Sequence, residues 1–78
     1  MAMRTATATF TGAEDYQAVT WEEMTGSFGI SHGVVSDEAY DVYGPIIAWI
    51  TDVTSTGCQV NVSSHFLGRV EVMAWDKP

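Results

Sequence analysis

Apolar and polar residues alternate with a period of two along most of the chain, as they do in strands with one buried and one solvated face. Thr5-Ala6-Thr7-Ala8-Thr9-Phe10-Thr11 puts threonine on one face, which predicts a strand near a sheet edge or a subunit contact. Cys58-Gln59-Val60-Asn61-Val62-Ser63 and Arg69-Val70-Glu71-Val72-Met73-Ala74-Trp75 repeat the alternation. Their inward sets are Cys58, Val60 and Val62, then Val70, Val72 and Ala74. Phe28-Gly29-Ile30-Ser31-His32-Gly33-Val34-Val35 predicts a strand carrying Phe28, Ile30 and His32 together, with glycines that mark a bulge or a close backbone approach. Ile46-Ile47-Ala48-Trp49-Ile50-Thr51-Asp52-Val53 is the most continuous apolar run and predicts a central strand.

The connecting stretches are less uniform. Thr11-Gly12-Ala13-Glu14 fits a helical capping box, whereas the residues after it are strand formers. Helical spacing gives no clean apolar stripe there, and alternation places Gln17, Val19 and Trp21 on one side, so a strand is favoured. Ser36-Asp37-Glu38 reads as a loop, and Ala39 to Tyr43 as a short strand or an extended approach to Gly44-Pro45. Short connections suggest that the last three strands form an antiparallel meander. The whole, residues 1–78, is expected to be one all-β domain, a small antiparallel β-sandwich of five to seven short strands. Residues 1–11 are read as a docking arm or an edge strand.

At 78 residues the core must be thin, since a chain near this size buries only about 60% of its unfolded surface. Apolar residues at 46% exclude disorder, and charged residues at only 17% leave a weakly charged surface suited to protein contact. Open sheet edges must be paired, covered or charged, and few lysines are available to guard them. Three basic against ten acidic residues give a net charge of −7, which repels phosphate backbones and argues against a nucleic-acid partner. The acidic excess fits solubility, docking on a basic protein surface, or imitation of nucleic acid. No stretch approaches the roughly 20 apolar residues of a membrane helix, and the N-terminus lacks the apolar segment of a signal peptide. The lone Cys58 has no disulfide partner, and its place in an alternating run predicts a small buried residue, with a reactive thiol as the alternative.

Catalytic chemistry is not signalled. There is no nucleophile elbow and no phosphate-cradling glycine loop, and the chain is too short to wall a deep cleft. No cofactor is expected. His32 and His65 lack metal-ligand spacing, and Asp37-Glu38 with Asp41 lacks the pattern of a calcium loop, so no metal site is assigned. The remaining constellation is the loop Ser63 to Arg69 together with Trp75. His65, Arg69 and Trp75 combine flat and polar groups of the kind that hold a sugar; in the competing reading Phe66 and Leu67 tuck under the loop and Arg69 pairs with an acid such as Glu71. Thr5, Thr7, Thr9 and Phe10 of the first strand, with Met73 and Trp75 of the last, are the candidate protein-contact residues.

Pro45-Ile46-Ile47, Val53-Thr54-Ser55-Thr56-Gly57-Cys58-Gln59-Val60-Asn61-Val62 and Gly68-Arg69-Val70-Glu71-Val72-Met73-Ala74-Trp75 together resemble the closing strands of the H-type lectin domain. That resemblance implies a six-stranded antiparallel sandwich that assembles as trimers or hexamers, a domain that recurs in structural proteins of tailed bacteriophages. The expectation is a non-enzymatic structural subunit of a virion, a capsid decoration (cement) or tail component, contacting major capsid or tail subunits and its own copies. A glycan-binding lectin-like module using His65, Arg69 and Trp75 is the alternative, and an acidic inhibitor that imitates nucleic acid is the third.

Overall fold

The computed structural model describes residues 3–36 and 46–76. The acidic segment at 37, 38 and 41 and the strand expected at 39–43 lie outside the described residues. The fold is all-β, with no helix among those residues. Six strands follow in order: β1 (Met3–Thr11), β2 (Tyr16–Thr20), β3 (Phe28–Ser36), β4 (Ala48–Thr54), β5 (Gly57–Val62) and β6 (Leu67–Asp76). They form two three-stranded antiparallel sheets, β1-β6-β3 (sheet A) and β2-β5-β4 (sheet B), in a sandwich-like arrangement around a shared core.

Side-chain parity builds that core. Ala8 and Phe10 of β1 and Val70, Val72 and Ala74 of β6 face Val19 of β2 and Cys58, Val60 and Val62 of β5. The inward residues expected on β5 and β6 are all buried, as are Val19 and Trp21. Phe10 is therefore a core residue, 1% exposed, and not a contact residue. It stacks on Phe66, their ring centroids 5.3 Å apart. Residues 3–11 pair with β6 from Met3–Trp75 to Thr11–Leu67 at an edge of sheet A, so removing them as a detachable arm would take Ala8 and Phe10 out of the core.

Two expectations are corrected. β4 and β5 form the only hairpin of the expected meander, because β6 pairs with β1 and β3 and the chain crosses between sheets after β5. The crossing is fixed by Phe66, fully buried between the sheets from within the connecting loop. Among the described residues β4 is an edge strand, not a central one; β5 is central to sheet B, and Trp49 and Val53 of β4 are about half exposed.

Polar side chains tie the two sheets together at both open sides. Gln17 Nε2 donates to the Thr9 carbonyl (2.8 Å) where β1 and β2 run side by side, and His32 Nε2 donates to the Ala48 carbonyl (2.9 Å) between β3 and β4. Each bond satisfies an edge carbonyl that would otherwise be open to an added strand. Between β2 and β3, Trp21 N and Met24 N donate to the Thr56 and Ser55 carbonyls of the β4–β5 turn (2.9 and 2.8 Å), closing one end of the core.

The Thr11–Glu14 motif forms half of a capping box without a helix. The Glu14 carboxylate accepts from Thr11 N (2.8 Å) and Thr11 Oγ1 (2.6 Å), and Gly12 at φ 97° supplies the left-handed residue that turns the chain toward β2. These bonds, the hydroxyl first, hold the Glu14 carboxyl below the usual glutamate range. A carboxyl lowered on folding adds stability above its unfolded value, and that contribution is lost as pH falls through the folded value. In an NMR titration the Glu14 carboxyl should protonate at lower pH in the wild type than in Thr11→Val. Equal midpoints would mean the hydroxyl bond is not formed in solution.

Candidate functional site

β6 runs through the middle of sheet A, so its outward side chains occupy the centre of that sheet's outer face. Successive rows across β1, β6 and β3 are Met3–Trp75–Gly29, Thr5–Met73–Ser31, Thr7–Glu71–Gly33 and Thr9–Arg69–Val35. The outer strands contribute mainly threonine, serine and glycine, and the centre contributes the large groups. Met73 is 41% exposed and Met3 53%, with Leu67 and Val35 also open. Five of the six expected contact residues, Thr5, Thr7, Thr9, Met73 and Trp75, thus share one face.

That face is close to neutral. Glu71 Oε1 accepts from Arg69 Nε (3.0 Å) and from Thr7 Oγ1 (3.4 Å), so its acid and its base cancel locally. Both ions are about half exposed, which limits the pair to under about 1 kcal/mol. The small residues of β3 leave a depression of about 170 Å³ bounded by Thr5, Ser31, Gly33, Glu71 and Met73. The Trp75 ring covers Gly29, where a Cβ would come within 2.8 Å of Trp75 Cε2.

His65, Arg69 and Trp75 are not gathered into one site. His65 Nε2 lies 2.8 Å from Asp15 Oδ1, linking the β5–β6 loop to the turn before β2. Arg69 is engaged with Glu71 on the outer face of sheet A. Trp75 lies six residues further along the same strand, which at about 3.3 Å per residue is roughly 20 Å away. Phe66 tucks beneath the loop as the competing reading requires, whereas Leu67 is 40% exposed.

The other chemistry-bearing groups are accounted for by packing and pairing. Cys58 is buried in sheet B, and burial pushes its thiol up, which keeps it protonated and unreactive at neutral pH. Arg4 points inward at the β1 edge, donating from Nε to the Glu22 carbonyl (3.2 Å) with Nη2 3.8 Å from the Glu22 carboxylate. Among the described residues, no three His, Cys, Asp or Glu side chains are arranged to hold a metal ion.

The outer face of sheet B was not singled out by sequence, yet it carries two exposed aromatics, Tyr16 and Trp49, in register with Asn61. The available signal was Gln59 and Asn61 alternating with buried Cys58, Val60 and Val62, which fixes both amides outward. Comparison of the chain with protein-family models, curated proteins and solved structures gives no match.

Proposed function

We propose that this chain is a non-enzymatic structural subunit that packs against copies of itself through the outer face of sheet A, in a virion as a capsid decoration or tail component. The observation that carries the reading is the gathering of Met3, Leu67, Met73 and Val35, each 38% or more exposed, on one near-neutral face otherwise made of Thr, Ser and Gly. Total exposed area does not carry it: 4744 Å² is close to the roughly 4,650 Å² usual for a monomer of 8.5 kDa. What matters is where the apolar area lies. The depressions of about 170 and 240 Å³ among the described residues are smaller than the roughly 300–1,000 Å³ of small-molecule sites.

Size constrains the contact. Three strands about 4.8 Å apart and about nine residues long give a face of roughly 14 by 30 Å, or about 400 Å² per copy. Two copies would bury about 800 Å² in this way, below the roughly 1,200–2,000 Å² of stable interfaces. The packing therefore extends past the face onto the residues that border it.

Sedimentation velocity tests the reading. The wild type should sediment as a closed oligomer, and Met73→Glu, which sets a charge at the centre of the face, should sediment as a folded monomer. A wild type that remains monomeric up to millimolar concentration, or a Met73→Glu that assembles normally, would overturn it.

A further inference from the structure

β1 lies at an edge of sheet A, and the bonds at its ends fix the direction of its backbone groups. In an antiparallel strand the N–H and C=O of one residue point to the same side, and that side alternates along the chain. The Thr9 carbonyl accepts from Gln17 Nε2 (2.8 Å) and Thr11 N donates to Glu14 Oε1 (2.8 Å), both away from β6. Register with β6 is unbroken from Met3 to Thr11, so Met3, Thr5 and Thr7 also turn their N–H and C=O to the open edge. Arg4 Nη1 donates to the Met3 carbonyl (3.2 Å). Side chains therefore close the edge toward both ends, and among the described residues the backbone N–H and C=O of Thr5 and Thr7, between those closures, have no partner.

This opening is complementary to itself. Thr5-Ala6-Thr7 reads the same in both directions, so an antiparallel second copy with the two-fold axis at Ala6 sets Thr5 opposite the partner's Thr7 and Thr7 opposite the partner's Thr5. Each of those pairs exchanges two N–H to C=O bonds, which uses every open group of both copies. Moving the axis to Thr5 or to Thr7 would instead set an open residue against the closed carbonyl of Met3 or of Thr9. At the axis Ala6 meets its counterpart in the narrow, non-hydrogen-bonded position, where Cα atoms are about 4.5 Å apart and a small side chain fits. Threonine opposite threonine is a favourable cross-strand pair. The other edge strands lack this match. β2 has 5 residues, β4 shifts register between Thr51 and Thr54, and β3 presents the unsymmetrical Ser31-His32-Gly33 with His32 drawn to the Ala48 carbonyl.

Area supplies the second argument. One outer face of sheet A offers roughly 400 Å², so two copies packed by that face alone fall short of a stable interface. Joining two β1 edges makes one sheet of six strands with an outer face of roughly 800 Å², and two such sheets face to face bury about 1,600 Å², inside the roughly 1,200–2,000 Å² range. A two-fold edge contact also closes on itself and leaves no β1 edge for a further strand.

We propose that two copies of this chain join β1 to β1 about Ala6, and that the joined pairs then pack by the outer face of sheet A. The junction rests on the sheet A reading, since the edge bonds alone do not offset the cost of association, and it adds the strand and the register. Cysteine cross-linking reads that register. Ala6→Cys sets two thiols across the axis within disulfide reach, whereas Thr5→Cys and Thr7→Cys each hold theirs roughly 8 Å apart, beyond the limit of about 7 Å between Cα atoms. Copper phenanthroline oxidation of the assembled protein should link Ala6→Cys into dimers on a non-reducing gel. It should leave Thr5→Cys, Thr7→Cys and the wild type, whose Cys58 is buried, unlinked. Sedimentation velocity should give an even number of copies, four by the area above. Thr7→Pro removes an edge donor that no bond within the chain uses, and it serves if Ala6→Cys does not fold. It should raise the concentration at half assembly by about tenfold or more, and Thr7→Val, which keeps the N–H, should leave it unchanged. An assembled Ala6→Cys that stays unlinked, linking of Thr5→Cys or Thr7→Cys in its place, an odd number of copies, or a folded Thr7→Pro that assembles like the wild type would each overturn the junction and leave the sheet A contact standing. A wild type that remains monomeric would overturn both. A Met73→Glu that assembles normally while Ala6→Cys links would overturn the sheet A contact alone.

Discussion

Phe66→Ala is expected to lower unfolding free energy by about 3–5 kcal/mol, the range for deleting a fully buried phenylalanine. For a chain of 78 residues the total is on the order of 4–12 kcal/mol, so the variant should forfeit at least about a quarter of it. Phe66 is 0% exposed and stacks on Phe10 with an interplanar angle of 26°. The loop that holds it spans only Ser63 to Phe66, and Ser63 N is bonded to the Ile47 carbonyl (2.8 Å) while Ile47 N donates to Ser63 Oγ (2.9 Å). A loop pinned in this way cannot collapse into the space the ring leaves, which places the cost toward the upper end. Phe66→Leu, which keeps most of the volume, should cost about 1.5 kcal/mol. Urea titration followed by tryptophan fluorescence measures both; a loss under about 1 kcal/mol for the alanine variant would mean that the ring does not lock the crossing between sheets.

Gly57→Ala is the second large effect, at about 3 kcal/mol, the upper end for overpacking. Gly57 is buried at the start of β5, and a Cβ there would overlap the Val19 carbonyl oxygen and stand 3.1 Å from Thr20 Cα. Both neighbours are backbone of β2, paired with Gly57 in the ladder, so relief requires the strand itself to move. Gly33 supplies the internal control. Nothing lies within 4 Å of its Cβ position, and Gly33→Ala should change stability by less than about 0.5 kcal/mol. Gly29→Ala should fall between them, because the obstacle is the Trp75 ring and a side chain can turn away. Thermal unfolding of the three variants checks the order, and equal effects at Gly33 and Gly57 would contradict the close approach of β2 and β5.

Parity along the chain was enough to assign the inward faces of β5 and β6 and to group Val19 with Trp21 on β2, because burial of one face imposes a period of two whatever the strand's neighbours are. Parity also puts Phe10 opposite the threonines, and it belongs with the core residues on that ground alone. What alternation does not encode is which strand pairs with which. β6 needs inward Val70, Val72 and Ala74 equally well beside β5 or facing it across the sandwich, so the crossing at Phe66 was not legible. The apolar run at β4 misled for a related reason: Trp49 and Val53 raise its hydrophobicity as a buried central strand would, yet both are about half exposed. The capping-box signature was real in its hydrogen bonds and silent about a helix, since Glu14 reaches Thr11 equally well around a turn at Gly12. For the site, the Thr stripe of β1 and outward Met73 were legible, whereas the grouping of His65, Arg69 and Trp75 failed because closeness in sequence ignored the length of β6.

The two outer faces divide the molecule's surface chemistry. Sheet A presents methionine, leucine and threonine with one cancelled ion pair; sheet B presents fixed amides between aromatic rings. The central claim is that the first of these is covered by neighbouring copies. Hydroxyl-radical footprinting read by mass spectrometry across micromolar to millimolar protein tests it most directly, since thioether oxidation follows exposure. Met3 and Met73 should become protected as concentration rises, while Trp49 and Tyr16 on the opposite face stay reactive. Oxidation of Met73 that is the same at every concentration, or protection of Trp49 in its place, would contradict the account.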